Sequence, residues 1–251
     1  MSSNSPQTGF VPGTPERPAF YERSRFLAKL VQGIFFKLDV QGLENIPADG
    51  PVMIVSNHLS FWDIPSLAIR PRRMLHFIAK SEYARNGFMR WLFTNLESFF
   101  VDRGESDMGA IRNALAVLKA GQMLAIYPEG HRSDDHAMIP AHDGFALIAF
   151  KANVPIIPAA TWGSEVVGKG GRFLFAAPTV HVRYGAPIHL MPVGKRATRE
   201  ELTAATEQVM GAIAAQLPTQ YRGVYAEAAQ HNGTGAAARP TSATSESQAA
   251  L

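Results

Sequence analysis

The sequence contains no cysteine. That excludes a disulfide framework, a thiolate metal site and any covalent mechanism through sulfur. Uninterrupted apolar runs of 18 or more residues are also missing, so a simple membrane-spanning helix is not expected. The first 18 residues are polar and carry Pro6, Pro12, Pro15 and Pro18, without the charged start and apolar stretch of a secretory signal. The expectation is a cytoplasmic protein, peripheral at the cytoplasmic face of a membrane. Charge of one sign is scarce too. The net charge is +3, and the segment from Ala226 to Leu251 carries Glu227, Glu246 and Arg239, leaving +4 on the remaining 225 residues. This mild basic bias suits phosphorylated small molecules or anionic lipid heads. With no basic stripe interleaved with aromatics, it does not support nucleic acid as a partner.

What is present is the composition of a globular chain: 251 residues, 46% apolar and 18% charged, enough for one domain with a core and a cleft. Residues 1–18 read as a disordered lead-in, 19–225 as a single domain and 226–251 as a disordered tail, Ala-, Ser-, Thr- and Gly-rich from Asn232 onward. The periodicity predicts strands over Val52–Ser56, Met74–Ala79, Ser98–Val101, Met123–Tyr127, Pro155–Ala160 and Val180–Tyr184. It predicts helices over Phe20–Leu38, Ile64–Ile69, Tyr83–Asn95, Ser106–Ala120, Phe145–Ala152 and Arg199–Leu217. Gly121 stands where a helix C-cap belongs. Alternation of this kind implies an α/β fold, a mixed or largely parallel sheet covered by helices. In such sheets ligand sites gather at the strand ends.

The first helix is amphipathic. Phe26, Leu27, Leu30, Val31, Ile34, Phe35 and Leu38 recur at three- and four-residue steps, with Arg23, Arg25, Lys29 and Lys37 among them. Two readings stand: a helix lying in a membrane interface, or one packed on the domain's own core. A second apolar stretch, Phe88, Met89, Trp91, Leu92, Phe93 and Leu96, repeats the theme.

The most informative segment runs from Ser56 to Pro65. A strand ends at Ser56, Pro65 fits the first turn of a helix, and Asp63 is a natural N-cap. His58 falls in the loop between. On a continuous helix its side chain would point about 140° away from that of Asp63, but a strand-to-helix turn can curl the ring back. The carboxylate would then fix the imidazole tautomer and stabilise its protonated form, as a general base requires. In the alternative, Asp63 is only a cap and His58 a surface residue. A second segment, Tyr127-Pro-Glu-Gly-His-Arg-Ser133, also comes after a strand. Gly130 permits a tight turn, Arg132 offers a planar fork for phosphate, and Ser133 could cap the next element. A third, Phe99-Phe-Val-Asp-Arg103, sets another Arg at a strand end.

His58-x4-Asp63 (an HX4D pattern), Phe100-Val-Asp-Arg103, Pro128-Glu-Gly-x-Arg132-Ser133 and Val154-Pro-Ile-Ile-Pro158 occur in that order. Together they resemble the four motif blocks of the 1-acylglycerol-3-phosphate acyltransferase (PlsC-like) family, over about Gly42 to Pro192. The resemblance implies that His58 is the base and Asp63 its partner. It implies that Arg103, Glu129, Gly130, Arg132 and Ser133 bind the acceptor's glycerol-phosphate end, and that Pro155 and Pro158 shape the pocket wall. No metal and no cofactor is implied; acyl-CoA or acyl carrier protein would be the co-substrate. The expected reaction moves an acyl chain onto a lysophospholipid, 1-acylglycerol-3-phosphate above all, to give phosphatidic acid. The chain departs from the family pattern at His131, where Thr is usual, at Tyr127, where Phe is usual, and before Gly144, where many relatives carry Lys. These departures bear on which lysolipid is the acceptor.

With no Cys and no Gly-x-Ser-x-Gly elbow, direct transfer is expected rather than an acyl-enzyme. Ser60, close to His58, is expected to serve local hydrogen bonding. Two competing readings stand beside this one. The first is a metal-dependent hydrolase built on His131, Asp134, Asp135, His136, His142 and Asp143, which have ligand types but no ligand spacing. The second is a catalytically inactive membrane- or lipid-binding protein.

Overall fold

The computed structural model of the chain describes residues 18–80, 85–87, 98–101, 108–168, 177–191 and 197–233. Helix α1 (Pro18–Phe35) leads into β1 (Lys37–Gln41), β2 (Val52–Ser56), α2 (Asp63–Ile69), β3 (Leu75–Lys80) and β4 (Phe99–Val101). Then come α3 (Met108–Lys119), β5 (Met123–Ile126), α4 (Gly144–Ala152), β6 (Ile156–Trp162), β7 (Thr179–Tyr184), α5 (Arg199–Gln216) and α6 (Ala226–Gly233). The helix expected over 83–95, with its second apolar stretch, lies almost entirely outside the described residues.

The seven strands form one sheet in the order β1-β7-β6-β2-β5-β3-β4. Every neighbouring pair is parallel except β6 and β7. The expected fold class holds. β2 lies at the centre, and all five of its residues are buried. It is apolar without alternation because helices cover both faces. On one face Met53, Val55, Leu124 and Ile156 pack with α3, α4, α5 and α6. On the other, Val52, Ile54, Met123 and Phe77 pack with Leu67 of α2. Each fully buried Leu, Ile or Met contributes roughly 1.5–3 kcal/mol.

Local chemistry sets the ends of these elements. Gly121, at φ 75°, donates to Leu118 O while Gln122 N–H donates to Val117 O, a Schellman closure of α3. Thr198 and Glu201 form a capping box at the start of α5. Two expectations are corrected. The first helix stops at Phe35, not Leu38, because Leu38 and Val40 alternate with Asp39 and Gln41 and pair as β1 with β7; a period of two belongs to a strand. The tail expected from Ala226 instead begins with α6, where Ala229 is 3% exposed and joins the main core. Residues 234–251 lie outside the described residues.

α1 does two things at once. Tyr21 and Gln32 face inward, Tyr21 Oη accepting from Leu75 N–H at 3.3 Å, and Arg25 Nη1 donates to Pro71 O at 2.6 Å. Its other side exposes Phe26 (64%), Leu27 (60%), Leu30 (53%) and Ile34 (69%), with Arg23 and Lys29 exposed beside them. Among the described residues no helix is long and apolar enough to cross a membrane.

Candidate active site

Because β2, β5 and β6 run parallel, the loops at their C-terminal ends emerge at one end of the sheet. The loop after β2 is pinned at its start. Asn57 is buried, its Nδ2 donating to Thr161 O and its Oδ1 accepting from Thr161 N–H, both at 2.9 Å. The amide side chain thus continues the pairing of β2 with β6 for one more residue. Ser60 Oγ accepts from Trp62 N–H at 3.3 Å, the local role expected of it.

Asp63 is not an N-cap. It is the first residue of α2, with Trp62 in the cap position and no side-chain cap. Its carboxylate turns back onto the loop instead. Oδ2 accepts from Leu59 N–H at 2.6 Å and Ser60 N–H at 2.8 Å, and meets His58 Nδ1 at 3.0 Å. Oδ1 accepts from the Ser164 hydroxyl. Asp63 is fully buried, whereas the His58 side chain is 15% exposed. An ionised carboxylate only accepts, so this network assigns the proton to Nδ1 and leaves a lone pair on Nε2. Nε2 has no partner among the described residues. The ring lies on Tyr127, with centroids 4.3 Å apart and planes at 23°, and Tyr127 in turn stacks on Phe77. Burial raises the Tyr127 phenol well above its ordinary value, and the Asp63 charge adds to this.

The loop after β5 grips the same residue by its backbone. Glu129 Oε1 accepts from His58 N–H at 3.3 Å, and Ser133 N–H donates to His58 O at 3.2 Å. Glu129 is 1% exposed and its buried Oε2 has no hydrogen-bond partner among the described residues. Burial pushes its carboxyl up to about 8, opposed only in part by the backbone N–H groups of His58 and Ile139. Gly130, at φ 72°, makes the turn. His131 and Arg132 point the other way and are exposed, and Arg132 has no carboxylate partner among the described residues.

Of the residues singled out in the sequence, the structure gathers His58, Asp63, Glu129, Gly130, Arg132 and Ser133 at one corner. Arg103 lies outside the described residues. Among the described residues no group of three or more His, Asp or Glu side chains converges as metal ligands, the six in the 131–143 stretch included. Sequence reasoning missed Ser164, the Asn57–Thr161 pairing and the ring stack. The signal for Ser164 was only Gly163, a turn residue at a strand end.

An apolar cavity of about 330 Å³ opens beside the His58 loop, between α1 and α2. Tyr21, Leu27, Phe36, Phe61, Trp62 and Phe77 are among its walls. Phe61 and Trp62 belong to the loop between His58 and Asp63, and Phe77 carries the Tyr127–His58 stack. Pro155 precedes β6 and Pro158 sits within it, half-buried and buried respectively; neither lines this cavity.

Comparison with known proteins points to one family. A family model described as Acyltransferase matches residues 37–162. The 1-acyl-sn-glycerol-3-phosphate acyltransferase of Bacillus subtilis is 28% identical over 181 residues, covering 71% of this chain and 87% of that protein. A lyso-ornithine lipid O-acyltransferase of Pseudomonas aeruginosa is 31% identical over 153 residues, 60% of this chain and 57% of that one. The chain spans half the length of two chloroplast relatives. Among solved structures, the 1-acyl-sn-glycerophosphate (LPA) acyltransferase PlsC of Thermotoga maritima superposes with a TM-score of 0.61 at 28% identity, covering 77% of both chains.

Proposed function

The chain belongs to the acyltransferase family, and on that premise we propose that it transfers a fatty acyl group from a thioester to the free hydroxyl of a lysophospholipid, 1-acylglycerol-3-phosphate, with His58 as general base. One observation carries the reading: a partly exposed imidazole whose Nδ1 faces a fully buried carboxylate at 3.0 Å while Nε2 has no partner among the described residues. As the acceptor oxygen attacks the thioester carbonyl, its proton passes to Nε2. Asp63 stabilises the imidazolium and does not itself take the proton. Collapse of the tetrahedral intermediate breaks the C–S bond, and the proton on Nε2 leaves with the departing thiolate. Such general-base work accounts for about 10²–10⁴ in rate.

The surroundings support a lipid substrate at a surface. The cavity between α1 and α2 offers apolar walls for an acyl chain next to the base. The exposed row Phe26, Leu27, Leu30 and Ile34, with Arg23 and Lys29 beside it, suits a helix resting on anionic lipid heads. Arg132, exposed and one residue from the Ser133 tie to His58, offers a planar guanidinium suited to the acceptor's phosphate. The similarity to a lyso-ornithine lipid enzyme, together with His131 in the acceptor loop, favours a second reading in which the acceptor carries no phosphate. The deciding experiment offers the purified protein lysophosphatidic acid and lyso-ornithine lipid in parallel, each with labelled acyl-CoA or acyl carrier protein, and identifies products by mass. Phosphatidic acid as the main product is expected. Preference for the phosphate-free acceptor would establish the second reading, and no acyl transfer to either would reject both.

A further inference from the structure

We propose that Ser164 is a positioning residue for acyl transfer, its hydroxyl holding the Asp63 carboxylate in the orientation that serves His58. The inference rests on the general-base reading of His58 and adds a third member, 101 residues from Asp63. The family match ends two residues earlier, at Trp162.

The two oxygens of Asp63 are held from different sides. Oδ2 has three partners, all from its own loop: Leu59 N–H, Ser60 N–H and His58 Nδ1. Oδ1 has the Ser164 hydroxyl. The terminal torsion of an Asp side chain is broad, so bonds to one oxygen alone leave the carboxylate plane able to tilt. A donor on the second oxygen removes that freedom. Both residues are fully buried, so bulk water does not replace the hydroxyl, and an unmet carboxylate oxygen there is costly.

The placement of Ser164 is forced by the sheet. It opens a short 3-10 turn directly after β6, and the preceding Gly163 has φ 80°. A Cβ on Gly163 would come within 2.4 Å of Thr179 O at the start of β7, so only glycine fits. The hydroxyl is therefore carried on the antiparallel β6–β7 pair, while Asp63 is carried on α2. The bond joins two independent elements across the base of the catalytic loop. Full burial also keeps Ser164 from meeting substrate, so its effect passes through Asp63.

The test compares Ser164→Ala, Ser164→Cys and His58→Ala with the unaltered protein, by steady-state acyl transfer on vesicles across pH and by thermal unfolding. Loss of the donor lets the carboxylate tilt, and kcat should fall about 10–100-fold with the KM values nearly unchanged. A tilted carboxylate faces Nδ1 less squarely and stabilises the imidazolium less, so the acid limb of the pH–rate profile moves to lower pH. The other titratable groups facing the pair, Tyr127 on the ring and Glu129 under the loop, are untouched. Ser164→Cys keeps the volume with a weaker donor and should fall between, carrying the test if the Ala variant does not fold. Absence of either effect overturns the proposal: unchanged kcat shows the hydroxyl is dispensable, and reduced kcat with an unmoved limb shows a merely structural role. Full activity of His58→Ala would instead sink the base assignment, whatever Ser164 does.

Discussion

Two neighbouring loops, after β2 and after β5, leave the same end of the sheet and carry the two most chemistry-rich segments, yet they are built differently. The loop after β2 is closed on itself: the Asp63 carboxylate collects two backbone N–H groups and the imidazole of its own loop. The loop after β5 is split. Its inner residues, Glu129 and Ser133, turn in and hold the peptide of His58, while His131 and Arg132 face out. Residues adjacent in one motif thus divide between holding the peptide of His58 and facing solvent. Glu129 shows it best. A buried carboxyl pushed up to about 8 is mostly a neutral acid at neutral pH, and its bond goes to the protein.

The larger of two expected effects comes from the outward half. Arg132→Ala should raise the KM for lysophosphatidic acid about tenfold or more through loss of a charge-assisted contact. It should leave kcat and thermal stability nearly unchanged, since the side chain is exposed. A KM that does not move would break the division between the two halves of the loop. Glu129→Gln sharpens it from the inner side with a smaller effect, read as stability against pH. The folded-state value of Glu129 lies above the ordinary 4.5, at about 8, so the folded protein keeps a proton that the unfolded chain releases. That contribution is complete below about 4.5, shrinks as pH rises and is gone above about 8. The Gln variant lacks this slope, so its melting temperature should gain on the unaltered protein between about pH 5 and 8. A constant difference across that range would contradict the neutral-acid assignment.

Much of this was legible in the sequence because the signals are local. β2, β5 and the end of α3 are marked by apolar runs and Gly121. The turn around His58 is marked by a strand end and Pro65. The illegible parts depend on distant partners or overlapping patterns. β1 hides behind a helical period that runs on through Leu38. The cap expected of Asp63 was a reasonable local use of the carboxylate, but the loop and Ser164 claim its oxygens first. Nothing near Glu129 shows that it turns inward, because its partners are the N–H groups of His58, 71 residues earlier, and Ile139. Gly163-Ser164 announces a turn and gives no hint of the residue across from it.

The central claim is that His58 removes the acceptor's proton, and replacing the ring tests it most directly. Turnover of labelled acyl-CoA and lysophosphatidic acid on vesicles would be compared between the unaltered protein and His58→Ala, with thermal unfolding checked in parallel. A loss of at least about 10²-fold in kcat, with unfolding temperature and KM values little changed, is the predicted result. Turnover near that of the unaltered protein would contradict it.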